Sequence, residues 1–361
     1  MRLAVLPGDG IGPEIADATV RVLRCVSDLY GLSIDIVVLP IGLEALAEYG
    51  TTFPDVSRDG AISADGIVLG PLSTYEYPLP QKGGINASAE LRSSLNLFAN
   101  IRPSRCRASL PAKSQGMDLI IVRENTEGFY AARSMFAGGG EFMPTPDLAI
   151  AVRKISSEAS EAVARISFEI ARSRRRRLTI IHKANVLRLS DGLFLKSVQA
   201  VGQLYPDVET ETILVDAMAA LLVRDASRFD VVLTTNMFGD VLSNEAAELA
   251  GGLGLAPSLN VGERHAVAQA SHGSAPELAG LDRANPTALI LSAGRLLVWL
   301  GNKHHDPRFS GAAEMIERGI DLLLQNTATR TPDVAGRCGT RAFTDHLIDA
   351  LTARREIHAF G

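Results

Sequence analysis

The chain has 361 residues, of which 46% are hydrophobic, 21% are charged and 5% are aromatic. This composition is typical of a globular protein and excludes a long disordered, collagen-like or heptad-repeat chain. Because a single hydrophobic core usually stops growing at about 250–300 residues, the length predicts more than one lobe. The 36 basic and 41 acidic residues leave a formal net charge of −5, which predicts neither a nucleic acid nor a membrane as partner.

The cysteines and the N-terminus indicate the compartment. Cys25, Cys106 and Cys338 form no CxxC pair, so they predict neither a disulfide framework nor a zinc site and favour a reducing environment. The N-terminal apolar run ends at Pro7 and Gly8, too early for a secretory signal peptide. No stretch approaches the roughly 18–20 uncharged apolar residues of a membrane span. We therefore expect a soluble, cytoplasmic protein.

Short apolar runs alternate with helical patterns along the whole chain. The predicted strands lie at residues 2–6, 34–39, 66–70, 118–123, 178–182 and 230–235. The predicted helices lie at residues 13–29, 156–175, 190–204, 240–250, 286–300 and 311–325. This alternation predicts an α/β fold with a largely parallel sheet. No repeat or linker divides the chain, so the lobes should be interleaved or closely packed.

Four consecutive arginines, residues 174–177, follow the predicted helix at 156–175. One interpretation is a nucleic-acid contact. The other is structural, because cations interact favourably with the C-terminal end of a helix dipole. No second basic cluster lies nearby, so we favour the structural interpretation.

A glycine-rich turn, Gly8-Asp9-Gly10-Ile11-Gly12-Pro13, joins the first predicted strand to the first predicted helix. It is not the G-x-G-x-x-G of a Rossmann fold, and no acidic residue ends the predicted strand at 34–39. Such a turn at a helix N-terminus can still hold an anion.

Three arginines lie near the ends of predicted elements, at Arg92, Arg102 and Arg123. A guanidinium binds a carboxylate through two hydrogen bonds and keeps its charge, so three converging arginines would suit a di- or tricarboxylic acid. Surface salt bridges are the alternative explanation.

Other residues of these segments could carry chemistry. Asp216, Asp240 and Asn244 offer oxygen ligands without histidine or cysteine, which favours Mg²⁺ or Mn²⁺, although Asp240 could instead cap a helix N-terminus. Lys183 follows a very apolar strand, where desolvation could lower its pKa toward the range of a general base. Tyr130 is a possible acid partner. Taken singly, such residues are more often structural.

The motifs GDGIGPE, ANIRP, VRENTEG, HKANVL, VDAMA, TTNMFGD and HGSAPELAG occur in this order. Together they resemble the β-decarboxylating dehydrogenases, the family of isocitrate, homoisocitrate, 3-isopropylmalate and tartrate/D-malate dehydrogenases. The resemblance covers about residues 3–350. It implies a non-Rossmann, isopropylmalate dehydrogenase-like α/β fold with two lobes and the active site in the cleft between them.

The resemblance also implies the organisation of the chain and its assembly. Residues 1–99 and 252–361 would form a large cofactor-binding lobe. Residues 100–251 would form a small lobe that contains the dimer interface. The protein would be a homodimer with shared active sites.

The resemblance further implies the chemistry. The three arginines would clamp the carboxylates of a malate core. Lys183 would act as the base, and Asp216 would enter the cleft with it from the partner subunit. Asp216 and Asp240 would hold Mg²⁺ or Mn²⁺, with Asn244 where the family usually has a second aspartate. Tyr130 would protonate C3 after the loss of CO₂.

The cofactor would be NAD, because Glu277 stands where NAD-dependent members have aspartate and NADP-dependent members have lysine. An acidic side chain accepts hydrogen bonds from the ribose hydroxyls and repels a 2′-phosphate. Gln269 replaces a glutamate that usually meets the nicotinamide ribose. The expected cofactor-binding residues are Ile11, Asn185, Gln269, His272, Gly273, Ser274, Ala275, Glu277 and Asn285.

Two polar residues before Arg92, Asn86 and Ser88, bear on the substrate. An isopropyl group would leave their polar atoms unpaired, so we expect a polar substrate of the isocitrate or homoisocitrate kind. The alternatives are 3-isopropylmalate, tartrate or D-malate. A non-catalytic regulatory subunit is a different class of function, since Asn244 and Gln269 both depart from the family pattern.

Overall fold

The structure is a computed structural model that describes residues 1–130 and 139–358, the last five of them by backbone alone. The strands are β1 (Arg2–Leu6), β2 (Asp35–Val38), β3 (Gly66–Leu69), β4 (Ala99–Arg105), β5 (Asp118–Glu124), β6 (Glu141–Thr145), β7 (Leu148–Ala151), β8 (Arg177–His182), β9 (Glu209–Leu214), β10 (Val231–Thr234), β11 (Leu259–Val261) and β12 (Ala266–Gln269). The helices are α1 (Gly12–Tyr30), α2 (Gly42–Tyr49), α3 (Asp55–Ile62), α4 (Ala87–Ser94), α5 (Ser157–Arg172), α6 (Ser190–Gly202), α7 (Val215–Asp225), α8 (Asn236–Ala250), α9 (Thr287–His304), α10 (Pro307–Leu323) and α11 (Thr340–His358).

Ten strands form one sheet in the order β2-β1-β3-β12-β11-β4-β5-β10-β8-β9, and β6 and β7 form a separate hairpin. Six pairings in the described part of the sheet are parallel. Three consecutive pairings at its centre, β12–β11, β11–β4 and β4–β5, are antiparallel. Because three reversals separate the two parallel groups, these groups run in opposite directions. The α/β fold with a largely parallel sheet is confirmed, and antiparallel strands join its two halves.

Alternate residues of the strands face opposite helical layers. Leu3 and Val5 of β1 pack in a core with α1, α5, α6 and α9–α11, whereas Ala4 and Leu6 pack in a second core with α3 and α4. A third core lies between the other half of the sheet and helices α7 and α8. Helices thus cover both faces of the sheet. The division into residues 1–99 with 252–361 and residues 100–251 stays a prediction; the sheet passes through that boundary where β4 pairs with β11.

The arginine run has a structural explanation. The Arg174 Nε lies 2.7 Å from an Asp230 carboxylate oxygen, and the Arg177 Nε lies 3.5 Å from Glu209. Arg176 adopts a left-handed conformation, with φ of 58°, in the turn between α5 and β8. These contacts stabilise a turn, which supports the structural interpretation.

None of the helices within residues 1–130 and 139–358 combines the length and the apolarity needed to cross a bilayer.

Candidate active site

Residues from four secondary-structure elements and one loop line a pocket of about 230 Å³. Its described lining residues are Arg92 of α4, Arg102 of β4, Arg123 of β5, Tyr130 of the following loop and Asp240 of α8. We call it the arginine pocket. Three guanidiniums against one carboxylate leave an excess of two positive charges, which matches a ligand with two carboxylates. The three predicted arginines therefore lie together in one pocket.

Arg123 is held by contacts on every nitrogen of its guanidinium. Its Nε and Nη2 donate hydrogen bonds to Asn236 Oδ1 at 2.9 and 2.6 Å, and its Nη1 donates to Asp240. The side chain is only 3% exposed, and this burial lowers its pKa. The fixed guanidinium presents one face to the Tyr130 ring, with 5.7 Å between Cζ and the ring centroid.

Arg102 lies beside Arg123 and shares the same carboxylate. Its Nη1 donates to Ser243 Oγ at 2.8 Å and lies 3.1 Å from Asp240 Oδ1. Burial, reinforced by the neighbouring Arg123 charge, lowers the pKa of Arg102 to about 10. It therefore remains a cation at neutral pH.

Asp240 is not the helix cap that its position suggested. Helix α8 begins at Asn236, four residues earlier than predicted, so Asp240 lies in its second turn. Asn244, one turn further along, is exposed. Within the described ranges of this single chain, no group of three or more His, Cys, Asp and Glu residues is placed to hold a metal.

Lys183 and Asp216 lie together, but at a different place on the surface. Lys183 follows β8, Asp216 is the second residue of α7, and their Nζ and Oδ1 atoms are 2.6 Å apart. This hydrogen bond lowers the pKa of Asp216. The pair is not among the described residues that line the arginine pocket. A single chain thus keeps the expected base apart from the expected carboxylate clamp.

A second pocket, of about 200 Å³, shares Arg92 and Arg102 with the first. Its wall consists of the loop after β3, the start of α4 and the segment 269–273, and we call it the α4 pocket. Ser88 Oγ donates a hydrogen bond to Gln269 Oε1 at 3.0 Å. Asn86 Oδ1 accepts the amide hydrogen bond of Ala89 at 3.0 Å and thereby caps α4. The Asn86 side-chain nitrogen, Nδ2, is not used in this cap and could donate to a ligand.

The expected cofactor segment packs against the glycine-rich turn. The Ile11 amide donates to the Ser274 carbonyl at 2.8 Å, and Ser73 Oγ donates to Ser274 Oγ at 2.9 Å. Gly10 has a φ of 60°, and a Cβ there would lie 2.1 Å from the Ser274 carbonyl oxygen. Only glycine permits this approach. Ala275, which follows, is itself left-handed with a φ of 37°.

His272 has a buried ring nitrogen without a partner. Its Nδ1 lies 2.9 Å from the Gly273 carbonyl oxygen, whereas Nε2 has no hydrogen bond among the described residues. Burial lowers the pKa of His272, so the ring is neutral at pH 7. A bound ligand could form the hydrogen bond that this buried nitrogen lacks among the described residues.

The remaining expected cofactor residues differ in their surroundings. Glu277 and Gly273 are exposed, as is Asn185, which lies between β8 and α6 and lines neither pocket. Asn285 is already engaged, because its Nδ2 donates to Asp333 at 2.9 Å and its Oδ1 accepts from the Thr287 amide at 3.0 Å.

Sequence reasoning missed two positioning residues. Asn236, in the motif TTNMFGD, holds Arg123 through a single oxygen. Asp9, in the motif GDGIGPE, is buried and accepts hydrogen bonds from the amides of Leu43 and Ser73 at 2.7 and 2.9 Å and from the Tyr77 hydroxyl at 2.5 Å. Both residues lie inside motifs identified in the sequence. Their polar side chains within these motifs could therefore have indicated a role at the site.

Comparison with known proteins identifies the family. Residues 2–351 match the model of the isocitrate/isopropylmalate dehydrogenase family. The chain is 42% identical over 351 residues to an isocitrate/homoisocitrate dehydrogenase of Thermus thermophilus, covering 97% of this chain and 98% of that protein. It is 36% identical over 349 residues to a 3-isopropylmalate dehydrogenase of Sulfurisphaera tokodaii, with 97% of each chain covered.

The fold agrees with this assignment. A crystal structure of isocitrate dehydrogenase from Methylococcus capsulatus matches with a TM-score of 0.85 and 34% identity, covering 97% of this chain and 99% of that one. The expected two-lobe, isopropylmalate dehydrogenase-like fold is thereby confirmed. The chain belongs to the isocitrate/isopropylmalate dehydrogenase family and is an oxidoreductase that acts on a CH–OH group.

Proposed function

We propose that this protein catalyses the NAD-dependent oxidative decarboxylation of a 3-substituted malate with a polar substituent, as a cytoplasmic homodimer with shared active sites. The arginine pocket carries the proposal. The excess of two positive charges among its described lining residues suits the two carboxylates of a malate core, and the guanidiniums of Arg102 and Arg123 are fixed before any ligand binds. Relatives named as isocitrate/homoisocitrate and 3-isopropylmalate dehydrogenases both act on acids of this class.

The chain's own residues would divide the reaction among them. Arg92, Arg102 and Arg123 hold the carboxylates, so that the C2 hydroxyl has a fixed position. Lys183 of a second subunit takes the hydroxyl proton, and its hydrogen bond to Asp216 keeps the amine in place. After the bond between C3 and its carboxyl group breaks and CO₂ leaves, Tyr130 donates a proton to C3. When bound, NAD would supply the hydride acceptor, and a divalent cation would supply a Lewis acid for the oxidation.

The donor set fits a hard divalent cation only when two chains combine. Asp240 supplies one carboxylate, of which Oδ1 already contacts both arginines. Asp216 is 65% exposed on its side chain and therefore accessible to another molecule. Carboxylates from Asp240 of one chain and Asp216 of another are ligands that Mg²⁺ and Mn²⁺ prefer, with Asn244 as a neutral third oxygen.

The cofactor segment fits a dinucleotide whose adenosine ribose carries a free 2′-hydroxyl and no 2′-phosphate. The unpartnered His272 Nε2 and the exposed Glu277 lie on one segment beside the glycine-rich turn. A carboxylate at this position favours ribose hydroxyls over a 2′-phosphate, which supports NAD over NADP.

Exposed apolar residues support the homodimer. The β6–β7 hairpin exposes Phe142, Met143, Leu148 and Ile150 by 40% or more. An isolated two-stranded hairpin is marginally stable in water, so it requires a partner surface. Leu189, 90% exposed, lies six residues beyond Lys183. A second copy that covers such residues would bring Lys183 to a foreign arginine pocket. The unpaired state of all three cysteines fits a cytoplasmic location.

NADH production separates the candidates. The purified protein would be assayed with isocitrate, homoisocitrate, 3-isopropylmalate, D-malate and tartrate, each with Mg²⁺ or Mn²⁺. We expect the highest kcat/KM with isocitrate or homoisocitrate. A preference for 3-isopropylmalate would contradict the polar substituent and leave the family chemistry intact. No NADH with any of the five acids would indicate the regulatory subunit.

A further inference from the structure

Gln269 lies where the substrate side and the cofactor side of the site meet. It ends β12, opposite Leu69 of β3, and its amide donates to the Ser258 carbonyl at 3.1 Å, so its backbone is fixed by the sheet. Its side chain lines the α4 pocket together with Arg92 and Arg102, while the segment from His272 begins three residues later. Its position therefore allows contact with either ligand.

The hydrogen bond from Ser88 sets the orientation of the Gln269 carboxamide. Ser88 Oγ donates to Oε1 at 3.0 Å, so the oxygen of the amide points toward α4. A carboxamide carries its acceptor and its two donors at opposite ends. The two N–H groups of Nε2 are therefore the groups that Gln269 offers to the pocket.

The charges of the pocket define what those N–H groups can bind. The described residues that line the α4 pocket include two arginines and no carboxylate. A glutamate at position 269 would place a negative charge and a second acceptor in this same pocket. With glutamine, the charged side chains among the described lining residues are the cations Arg92 and Arg102, an environment that suits a carboxylate.

We infer that Gln269, oriented by Ser88, is a specificity-determining residue that binds a carboxylate on the 3-substituent of the substrate. This inference rests on the proposed function and narrows it to tricarboxylic acids. It differs from the cofactor role that the resemblance implied for Gln269, because it directs the carboxamide to the acid and not to the ribose.

Substrate binding without cofactor tests the inference directly. Wild type and Gln269→Glu would be titrated calorimetrically with isocitrate, homoisocitrate and 3-isopropylmalate in the presence of Mg²⁺, and each acid's effect on Tm would be recorded. We expect Gln269→Glu to raise the Kd of the tricarboxylic acids by about tenfold or more, because a charge now opposes a charge. The Kd of 3-isopropylmalate should change by less than about threefold.

Two further variants sharpen the test. Gln325→Glu adds the same charge at an exposed position after α10 and should leave every Kd unchanged. Ser88→Ala releases the carboxamide without changing any charge. It should weaken the tricarboxylic acids by a smaller factor and again spare 3-isopropylmalate. If Gln269→Glu fails to fold, this selective loss in Ser88→Ala decides the question.

Other outcomes would overturn the inference. Equal weakening of all three acids by Gln269→Glu would show that position 269 acts on the malate core. Unchanged Kd values for the acids, together with a raised KM for NAD, would place Gln269 on the cofactor. Failure of the proposed function looks different, because the wild type would then bind the acids without producing NADH with any of them.

Discussion

Two buried guanidiniums share one carboxylate at the centre of the site. Arg102 and Arg123 both contact Asp240 Oδ1. Arg102 also donates a hydrogen bond to Ser243, and Arg123 donates to Asn236. Burial of two like charges disfavours both, which is why the pKa of Arg102 falls to about 10. A dicarboxylate bound here would offset this excess of positive charge, because Asp240 is the only carboxylate among the described residues that line the pocket. The same residues that are unfavourable in the free protein therefore favour ligand binding.

We expect Glu277 to determine the choice between NAD and NADP. Glu277→Lys should lower kcat/KM for NAD and raise it for NADP, so that the ratio moves toward NADP by about tenfold, because a cation now faces the 2′-phosphate. Steady-state kinetics with both cofactors measure the ratio. Glu263→Lys, an exposed change of the same type, is the control and should leave the ratio unchanged. Equal use of both cofactors by the wild type would contradict the assignment.

The buried ring of His272 predicts a pH dependence of stability. Its pKa is lowered in the folded state by burial, whereas in the unfolded chain it is about 6.5. Below that value the unfolded chain binds the proton more readily, so this residue reduces the free energy of unfolding as the pH falls, by at most about 1.4 kcal/mol per pH unit. His272→Gln should therefore gain stability relative to wild type between pH 7.5 and 5.5.

Urea denaturation of both proteins at the two pH values measures this change. His182, whose pKa burial also lowers, is present in both proteins and cancels in the comparison. His346→Gln, an exposed change on α11, should follow the wild type. A constant difference between wild type and His272→Gln across this range would mean that the ring titrates normally.

At the scale of elements, the sequence patterns predicted part of the fold. The strands β4, β6, β7, β9, β11 and β12 and the helices α2, α3 and α11 were not predicted. All six predicted strands are present within one or two residues of their expected bounds. Helix α8 was predicted to begin at residue 240, whereas it begins at Asn236 and includes Gly239. The structure requires that glycine, since a Cβ would lie 2.7 Å from Arg123 Cβ. Helix α7 was missed because it follows the exposed edge strand β9 without any Gly or Pro between them.

The site could be predicted residue by residue but not as an arrangement. Each arginine of the pocket had an equally good explanation as a surface salt bridge, and nothing local indicates that α4, β4, β5 and α8 converge. The antiparallel pairing of β4 with β5 brings Arg102 and Arg123 together. This pairing is antiparallel. The alternation of strands and helices predicted a largely parallel sheet and gave no indication of an antiparallel pair at this position. The expectation that the three arginines act together came from the order of the motifs and the family resemblance, and not from local sequence patterns.

Tyr77 is one of the residues that hold the loop between β3 and α4 to the glycine-rich turn. Its hydroxyl donates to the buried Asp9, and burial raises the pKa of Tyr77 far above its usual value. Tyr77→Phe should lower the free energy of unfolding by about 1.5–3 kcal/mol, the usual contribution of a hydrogen bond to a charged group. Hydrogen exchange should also accelerate in residues 71–79, which border the α4 pocket.

Urea denaturation and hydrogen-exchange mass spectrometry measure these two effects. Tyr75→Phe is the matched control, because Tyr75 is fully exposed two residues away and should change neither quantity. If Tyr77→Phe leaves exchange in this loop unaltered, the bonds of the Ser73 amide to the Asp9 carboxylate and of the Asp9 amide to the Pro71 carbonyl suffice to hold it.

At the scale of the whole molecule, the separation of Lys183 and Asp216 from the arginine pocket predicts complementation between subunits. If each site combines Asp240 of one chain with Lys183 of the other, homodimers of Lys183→Ala or of Asp240→Asn have no complete site. A heterodimer of the two variants has one site with both lesions and one with neither. It should therefore regain about half of the wild-type activity, because a symmetric dimer has two equivalent sites.

Differently tagged chains, produced together and purified as heterodimers, allow this measurement. Asparagine at position 240 keeps an oxygen for Arg102 and Arg123, so the pocket should retain its shape. The control is a heterodimer of Lys183→Ala with Asp216→Ala. These two residues lie side by side on one chain and serve the same foreign site, so neither site of this heterodimer is complete and activity should stay at background. Activity at background in the Lys183→Ala and Asp240→Asn heterodimer as well would mean that each chain uses its own lysine. Lys183 would then have to leave Asp216 and reach the arginine pocket within one subunit, a movement that the buried ion pair of Arg153 with Asp191, which anchors the Lys183 backbone, opposes.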